Sequence, residues 1–235
     1  MLNLAGNALD RPRIASRPIA PPALRTPAAL DLIEEFGTTV TIQAGQEIHA
    51  QGDGADHCCR VLSGCVRTVR LMADGRRQVG EFLLPGDLLG FDLPDAYDLA
   101  AEAVCDTVLR RYPARAVEAL ADRHLALARR LRQLAAESLR RAQERNLLLG
   151  RSTATERVAS FLAQMAARAP RDGGARIRLP MTRTDIADHL GLTIETVCRN
   201  LTLLRREGVI ATDGAVLEIR DLSTLHDLAC PETRH

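Results

Sequence analysis

Hydrophobic residues near the C-terminal end of the chain recur at helical spacing. Between residues 194 and 206, the positions that would share one side of a helix are apolar: Ile194, Val197, Leu201 and Leu204. A shorter apolar set precedes them at Ile186, Ala187 and Leu190. Gly191 lies between the two sets, where a glycine permits a tight turn. The pattern therefore predicts two short helices joined at Gly191.

The ends of these two helices carry capping residues. Thr182 followed by Asp185 is typical of a capping box at the start of the first helix. Thr193 is suited to cap the second helix, and Gly208 to end it. Two capped helices around a glycine turn have the anatomy of a helix-turn-helix.

The chain from Val40 to Leu109 has the pattern of β-strands. Short apolar runs at 38–42, 58–62, 65–71 and 78–84 are separated by turn signals rich in Gly, Asp and Pro. Strands that follow one another at short spacing predict an antiparallel roll. A short helix beginning at Thr26-Pro27 and ending at Gly37 is predicted before it, and the Pro- and Arg-bearing segment 1–29 reads as a disordered arm.

A long stretch rich in Ala, Leu and Arg follows Pro113, without Pro or Gly until Gly150. It predicts one long helix with a narrow apolar stripe at spacings of three and four: Leu127, Leu131, Ala135, Ser138, Leu139 and Ala142. A stripe with so few large apolar side chains suits pairing with the same helix of a second copy of the chain. The alternative is that this helix packs within the core of its own chain.

A further helix is expected over 153–169, with Val158, Phe161, Leu162 and Met165 on one face. A strand in the segment 176–181 and a hairpin at 209–219, with Asp213-Gly214 at its turn, flank the helix-turn-helix. The expected organisation is α+β. It comprises an arm (1–29), a β-roll of jelly-roll type (30–120), a dimerisation helix (121–150) and a winged helix-turn-helix (151–235).

The net charge of +1 conceals an asymmetry. Residues 30–110 carry 6 Arg against 14 Asp and Glu, whereas residues 111–235 carry 21 Arg against 15 acids. A basic C-terminal part favours contact with a polyanion there. No membrane span or secretory signal is recognisable, so we expect a cytoplasmic protein with reduced cysteines.

The polar face of the second helix carries the candidate chemistry. Glu195, Arg199, Thr202 and Arg206 lie opposite the apolar stripe, with Cys198 at the edge. Four residues separate Glu195 from Arg199, so the two side chains could form an ion pair. An Arg fork matches guanine O6 and N7, Glu accepts from cytosine N4, and Ile194 could contact a thymine methyl group. A solvated helix with a surface ion pair is the alternative.

The chain resembles the cyclic-AMP receptor and fumarate-nitrate regulator superfamily, in its FixK-like branch. The resemblance is carried by the segments 62–92 and 147–162 and by the sequence LTIETVCRNL. The resemblance covers about residues 30–225. It implies a homodimer that binds double-stranded DNA, works with RNA polymerase and mainly activates transcription at TTGA-N6-TCAA-like inverted repeats. It also implies base reading by Glu195 and Arg199, and we expect Ile194 and Cys198 to face the bases beside them. Phosphate contacts are implied at Thr182, Arg183, Thr193, Thr196 and Thr202.

Departures from the family pattern bear on the effector. Where the cyclic-AMP branch has Gly-Glu and a downstream Arg-Ser/Thr pair, this chain has Gly90-Phe91 and, over 95–101, no Arg. The cysteine cluster of the iron–sulfur regulators is missing, since residues 1–57 hold no Cys. We therefore expect no cofactor and no metal. An effector held in the β-roll remains the alternative within the family, while isolated His49 and His57 disfavour a cupin-like metal enzyme.

Six cysteines are scattered along the chain: Cys58, Cys59, Cys65, Cys105, Cys198 and Cys230. Cys58 and Cys59 are adjacent in a predicted strand, so they should point to opposite faces and pack in the core. Cys198 lies near the start of the recognition helix, where positive potential favours a thiolate. Oxidation there should weaken DNA binding. The alternative is an ordinary exposed thiol, and the sequence assigns no role to the other five cysteines.

Overall fold

The computed structural model describes residues 29–73, 75–91, 95–151, 153–168 and 176–229. The predicted disordered arm, the helix start at Thr26-Pro27 and Cys230 lie outside the described residues. Gly37 does end the first helix, a 3-10 turn over Asp31–Phe36 whose Ile33 is buried.

Eight strands form the expected antiparallel roll. They are β1 (Thr38–Ile42), β2 (Glu47–His49), β3 (His57–Ser63), β4 (Val66–Leu71), β5 (Arg77–Leu83), β6 (Leu88–Leu89), β7 (Ala100–Ala103) and β8 (Thr107–Pro113). They pair as two four-stranded sheets, in the orders β1-β8-β3-β6 and β2-β7-β4-β5. The side chains between the sheets, among them Val61, Val66 and Leu109, form a core within the roll.

The helices are α1 (Ala114–Ala121), α2 (Leu125–Arg151), α3 (Ala154–Arg168), α4 (Arg183–Leu190), α5 (Ile194–Arg206) and α6 (Leu222–Ala229). A three-stranded sheet in the order β10-β11-β9 is built from β9 (Arg176–Arg178), β10 (Ile210–Asp213) and β11 (Val216–Ile219). The predicted α3, hairpin and helix-turn-helix are confirmed, and the four apolar residues predicted for α3 are all buried. None of the described helices is long and apolar enough to cross a membrane.

The predicted continuous helix after Pro113 is wrong in one respect. A turn between Ala121 and Leu125 interrupts the helix, so that α1 ends at Ala121 and α2 begins at Leu125. Leu127 then points into the core of its own chain, beside Ile33 and Tyr112, and is 0% exposed. The turn lets α1 fold against the roll, which a straight helix could not do.

The adjacent cysteines lie on opposite faces of β3, as predicted. Cys58 packs with Tyr112 in the cluster under α1, and Cys59 packs in the core of the roll. Burial raises the pKa of the Cys58 thiol to about 12 and that of Cys59 to about 11. Both are therefore neutral core thiols at physiological pH.

The roll and the DNA-binding part share a hydrophobic cluster. Phe82 of β5 contacts Phe161 of α3 edge to face, with ring centroids 6.1 Å apart. The ring of His189, on α4, lies 5.2 Å from that of Phe82. Its buried Nδ1 atom has no hydrogen-bond partner among the residues that the structure describes. Burial lowers the pKa of His189 to about 4, and the positive charge of Arg145 acts in the same direction.

This histidine should make the fold less stable in acid. As pH falls below about 6.5, the unfolded chain binds a proton that the folded imidazole refuses until about pH 4, so stability declines across this window. The free energy of unfolding should fall by about 2 kcal/mol. A fully buried histidine with the same pKa would lose roughly 3 kcal/mol, but the side chain of His189 is partly exposed to solvent. Urea unfolding at pH 7 and pH 4.5 measures it. His189→Gln, which cannot titrate, should lose correspondingly less, and an identical pH profile in both proteins would contradict the assignment.

Candidate nucleic-acid interface

The helix-turn-helix is held by the caps that the sequence predicts. The Thr182 hydroxyl accepts from the backbone N–H of Asp185, whose carboxylate accepts from the backbone N–H of Thr182, so the capping box is closed. Gly191 ends α4 in the left-handed region, with φ 61°, which a side chain would strain. Thr193 caps α5 by accepting from the N–H of Thr196.

One face of α5 is buried and the other is open. Val197, Leu201 and Leu204 are buried as predicted, whereas Ile194 is 41% exposed. Its placement on the buried side is wrong, because helical periodicity does not show how far neighbouring elements cover the first residue of a helix. Exposure leaves Ile194 available for the contact with a thymine methyl group.

Asn200 is a buried residue that the periodicity did not reveal. Its Oδ1 accepts from the Thr155 hydroxyl at 2.6 Å, and its Nδ2 donates to the Thr196 carbonyl at 2.8 Å. The first bond joins the first turn of α3 to the middle of α5, and the second lies within α5. No periodicity could have identified a polar residue on the apolar stripe.

Glu195 and Arg199 are exposed on α5, next to one another along the helix. They form no ion pair in the described part of the chain. Instead, the backbone N–H of Glu195 and the hydroxyl of Thr193 hydrogen-bond the Glu195 carboxylate and lower its pKa, with a smaller effect from the charge of Arg199. The predicted ion pair is thus wrong, because the free N–H groups of the helix start attract the carboxylate. The guanidinium of Arg199 remains open to a ligand.

The threonines predicted to hold phosphates differ in the partners of their hydroxyls. The Thr182 hydroxyl donates to Asp185 at 2.8 Å, and that of Thr202 donates to the Cys198 carbonyl at 2.9 Å. The hydroxyls of Thr193 and Thr196 lie 3.0 Å apart, and only one of them can use its proton in that bond. Because the Thr193 hydroxyl also bonds the Glu195 carboxylate, the Thr196 hydroxyl is the donor between the two threonines, and the protons of both are used within the chain.

Cys198 lines a shallow depression of about 150 Å³ with Arg183, Arg205 and Thr212. It is exposed, and it is the fifth residue of α5, beyond the first turn where the helix potential is strongest. The two arginines supply the positive surroundings instead. Arg205 was missed as a site residue, although its spacing of seven from Cys198 places both on one side of the helix.

The residues predicted for a dimer interface occupy three environments on α2. Leu127 is enclosed by its own chain and has no surface left for a partner, so its assignment is corrected. Leu131 packs partly against the same cluster, and Ala135, Ser138 and Ala142 face depressions between α2 and the roll. Leu139 is 60% exposed. Among the six predicted interface residues, Leu139 is therefore the one whose side chain is exposed.

A cavity of about 240 Å³ lies between the roll and α2. His49 stacks on Tyr97 at its wall, with ring centroids 3.5 Å apart. Glu81 pairs with Arg141 at 2.6 Å, and the guanidinium of Arg145 donates to the carbonyl of Gly80. Within the described ranges, no three His, Cys, Asp or Glu side chains are grouped so as to hold a metal ion.

An antiparallel roll, a long helix and a winged helix-turn-helix with an open recognition helix define a DNA-binding transcription regulator rather than an enzyme. Residues 156–228 match the Crp-like helix-turn-helix domain and residues 39–124 the cyclic nucleotide-binding domain. The chain belongs to the CRP/FNR superfamily, in its FixK-like branch.

Individual relatives agree with this placement. The nitrogen fixation regulation protein FixK of Rhizobium meliloti is 42% identical over 192 residues, which is 82% of this chain and 83% of that protein. The transcriptional activator FnrL of Cereibacter sphaeroides is 35% identical, over 79% of this chain and 77% of its own. The solved structure of FixK2 from Bradyrhizobium japonicum superposes with a TM-score of 0.79 at 39% identity, covering 82% of this chain and 96% of that one.

Proposed function

We propose that this regulator binds TTGA-N6-TCAA-like inverted repeats as a homodimer and mainly activates genes of oxygen limitation or nitrogen fixation. The observation that carries the proposal is the open face of α5, where Glu195 and Arg199 project from a capped helix with a buried apolar stripe. The similarity to FixK and FnrL supports the gene class. RNA polymerase as the partner and a cytoplasmic location belong to the same proposal.

Base recognition follows from the chemistry of three side chains. The Arg199 guanidinium, with no ion pair of its own, can present two parallel N–H groups to guanine O6 and N7. Glu195, which stays ionised because its pKa is lowered, can accept from cytosine N4. Ile194 offers only an apolar surface, which matches a thymine methyl group and not a second guanine.

Phosphate contacts come from the starts of the two helices. Backbone N–H groups and the positive end of a helix favour an anion there. Arg183 is the main side-chain donor that we assign to the phosphates, and the hydroxyls of Thr193 and Thr196 can donate only by giving up their bonds to Glu195 and to each other. Thr182 and Thr202, whose hydroxyl protons are already donated within the chain, can contribute only weakly.

We infer that two copies pair through α2 with Leu139 at the centre of the interface, supported by Ala135, Ser138 and Ala142. A symmetric dimer presents one recognition helix to each half of an inverted repeat, about one helical turn apart. The basic C-terminal part then faces the DNA.

DNA binding is proposed to need no effector. The two arginines of α2 beside the cavity already have partners in Glu81 and the Gly80 carbonyl, so neither is free for a cyclic phosphate. The cavity itself favours the alternative, a small ligand in the roll. Cyclic AMP should leave the melting temperature unchanged, since only a ligand of the native state raises it.

Titration of a labelled duplex that carries TTGA-N6-TCAA tests the function directly. The purified chain should bind it about 10³-fold or more tightly than a duplex with both half-sites scrambled, at one stated salt concentration. Equal affinity for the two duplexes would refute sequence-specific recognition of this repeat.

We further propose that Cys198 tunes this binding by oxidation. Hydrogen peroxide transfers one oxygen to the thiolate sulfur, which becomes sulfenic acid as the O–O bond breaks and hydroxide leaves; a second equivalent yields sulfinic acid. The added oxygen, and the negative charge of a sulfinate, would lie between Arg183 and Arg205 where a phosphate passes. The pKa values of Cys58, Cys59 and Cys65 are all raised by burial, which disfavours reaction there.

Peroxide should therefore abolish operator binding by the wild-type chain and spare Cys198→Ser. The measurement is the affinity for the TTGA duplex before and after peroxide, with mass spectrometry locating the added oxygen. Cys105→Ser, which removes a partly exposed thiol elsewhere, serves as the matched control and should stay sensitive. If Cys198→Ser loses binding as readily as wild type, the switch is not at this residue.

A further inference from the structure

A single buried carboxylate joins the β-roll to the helix-turn-helix. The side chain of Asp185, in α4, is only 2% exposed. Its Oδ2 accepts from the backbone N–H and the hydroxyl of Thr182, at 3.0 and 2.8 Å. Its Oδ1 accepts from Arg67 of β4 and from Arg77 of β5, both at 2.8 Å. The residue that caps α4 is thus also the residue that the roll holds.

Each of these arginines has a second acidic partner. Arg67 donates to Glu102 of β7 at 2.6 and 2.8 Å, which secures it within the roll. Arg77 donates to Asp188 of α4 at 2.7 and 2.9 Å, one turn beyond Asp185. Two guanidinium groups are therefore shared among three carboxylates, and α4 is held at two successive points. We call these five side chains, Arg67, Arg77, Glu102, Asp185 and Asp188, the interdomain ion cluster.

The ion cluster is flanked by apolar packing, so the two parts meet as one unit. Phe82 and Val79 of β5 share a core with α3, α4 and α5. Arg168 of α3 donates to Asp87 of the roll at 2.7 Å and to the Phe82 carbonyl at 3.0 Å. Direct contacts of the chain thus set the orientation of α4, and of α5 packed on it.

We propose that Arg67 and Arg77 are positioning residues for DNA binding, which hold the recognition helix in its operator-binding orientation without an effector. This inference rests on the proposed function and extends it to the β-roll. A DNA-binding part that is already oriented loses less conformational freedom when two copies engage both half-sites. Loosening the ion cluster should therefore weaken binding.

The negative charge of Asp185 is a second reason to expect weaker DNA binding when the ion cluster is loosened. Without its arginines, the carboxylate would be a buried, uncompensated negative charge three residues from the phosphate-facing start of α4. Such a charge either repels the backbone of DNA or draws α4 out of place. Both consequences lower affinity for the operator.

Charge exchange across the cluster tests the proposal. Arg77→Glu and Asp188→Arg should each lower affinity for the TTGA duplex about tenfold, and the double variant should regain about threefold, because the exchange restores the pair between positions 77 and 188 but not the bond to Asp185. Asp188→Arg is decisive, because its added positive charge alone would strengthen binding to a polyanion. Tighter binding by Asp188→Arg, or a double variant that is not rescued, overturns the proposal.

Arg60→Glu is the matched control. Arg60 also lies in the roll and pairs with Glu34 at 3.1 Å, but makes no contact with the DNA-binding part that the structure describes. It carries the same change in charge as Arg77→Glu and should bind almost as wild type does. An equal loss in both would show that only net charge matters.

Circular dichroism and thermal melting establish that each variant is folded. If Arg77→Glu does not fold, Arg77→Gln replaces it, with an expected loss of about threefold. Amide hydrogen exchange of α4 without DNA should rise in the single variants and return in part in the double one. If wild type fails to bind the duplex, the proposed function is wrong; if it binds and the variants bind equally well, this inference alone is wrong.

Discussion

Arg199→Ala should abolish discrimination between TTGA and half-sites with the guanine replaced, and weaken operator binding severely. Removal of a bidentate contact to guanine costs about 1–3 kcal/mol. A dimer carries two copies of the residue, so the operator loses about 2–6 kcal/mol, or roughly 30-fold to 20,000-fold in affinity. The Arg199 guanidinium forms no ion pair with Glu195. A loss of affinity in Arg199→Ala can therefore be assigned to the contact with DNA.

Arg206→Ala is the matched control for this variant. It removes the same charge from the last turn of the same helix, where Arg206 is exposed. Binding to matched and mismatched duplexes should fall by the same small factor, with a shallower salt dependence. If Arg199→Ala also weakens both duplexes equally and leaves their ratio unchanged, Arg199 holds a phosphate and reads no base.

Leu139→Glu should convert the chain to monomers and reduce operator affinity by about 10²–10⁴-fold. Two half-sites bound by one dimer gain this factor over independent binding. A glutamate at the centre of a two-fold interface would face its own copy, so that two like charges are desolvated together. Sedimentation velocity measures the assembly, and titration of the TTGA duplex measures the affinity.

Gln133→Glu adds the same acid to α2 at an exposed position about 120° around the helix from Leu139. It should remain dimeric and bind as wild type does. Leu131→Glu would be a poorer test, because Leu131 packs partly against the core of its own chain. A Leu139→Glu chain that stays dimeric and binds normally would place the interface elsewhere.

Local patterns were sufficient for the elements that recognise DNA. The capping box at Thr182 and Asp185, the glycine turn at Gly191 and the apolar stripe of α5 each depend on residues within a few positions of one another. Spacing alone therefore placed Glu195 and Arg199 on the exposed side. It failed at Ile194, because exposure of a first helical residue depends on how far the neighbouring helix extends.

Other features depended on neighbours that periodicity does not contain. Helix α6 was missed although Asp221 caps it, with the Thr224 N–H donating to its carboxylate at 2.9 Å, because the segment is short. Leu127 points inward because it contacts Ile33 and Tyr112, which belong to earlier elements of the chain. The break before α2 accompanies this contact. The sequence predicted that the whole apolar stripe of α2 forms a dimer interface. In the folded chain, part of the stripe packs in the chain's own core and part is exposed to solvent.

Local patterns of caps, turns and helical periodicity predicted the helix-turn-helix and the exposed positions of Glu195 and Arg199, and the family resemblance predicted the class of protein. Which of the polar side chains are free to bind a ligand depends on contacts that form only in the folded chain. The Glu195 carboxylate turns to the start of its helix, and the hydroxyl protons of Thr182 and Thr202 are already donated within the chain. Only the tertiary structure joined Arg67 and Arg77 to Asp185, across 118 and 108 residues of sequence. Ion pairs form where folding brings charges together in a shielded place, and no spacing along the chain encodes that distance.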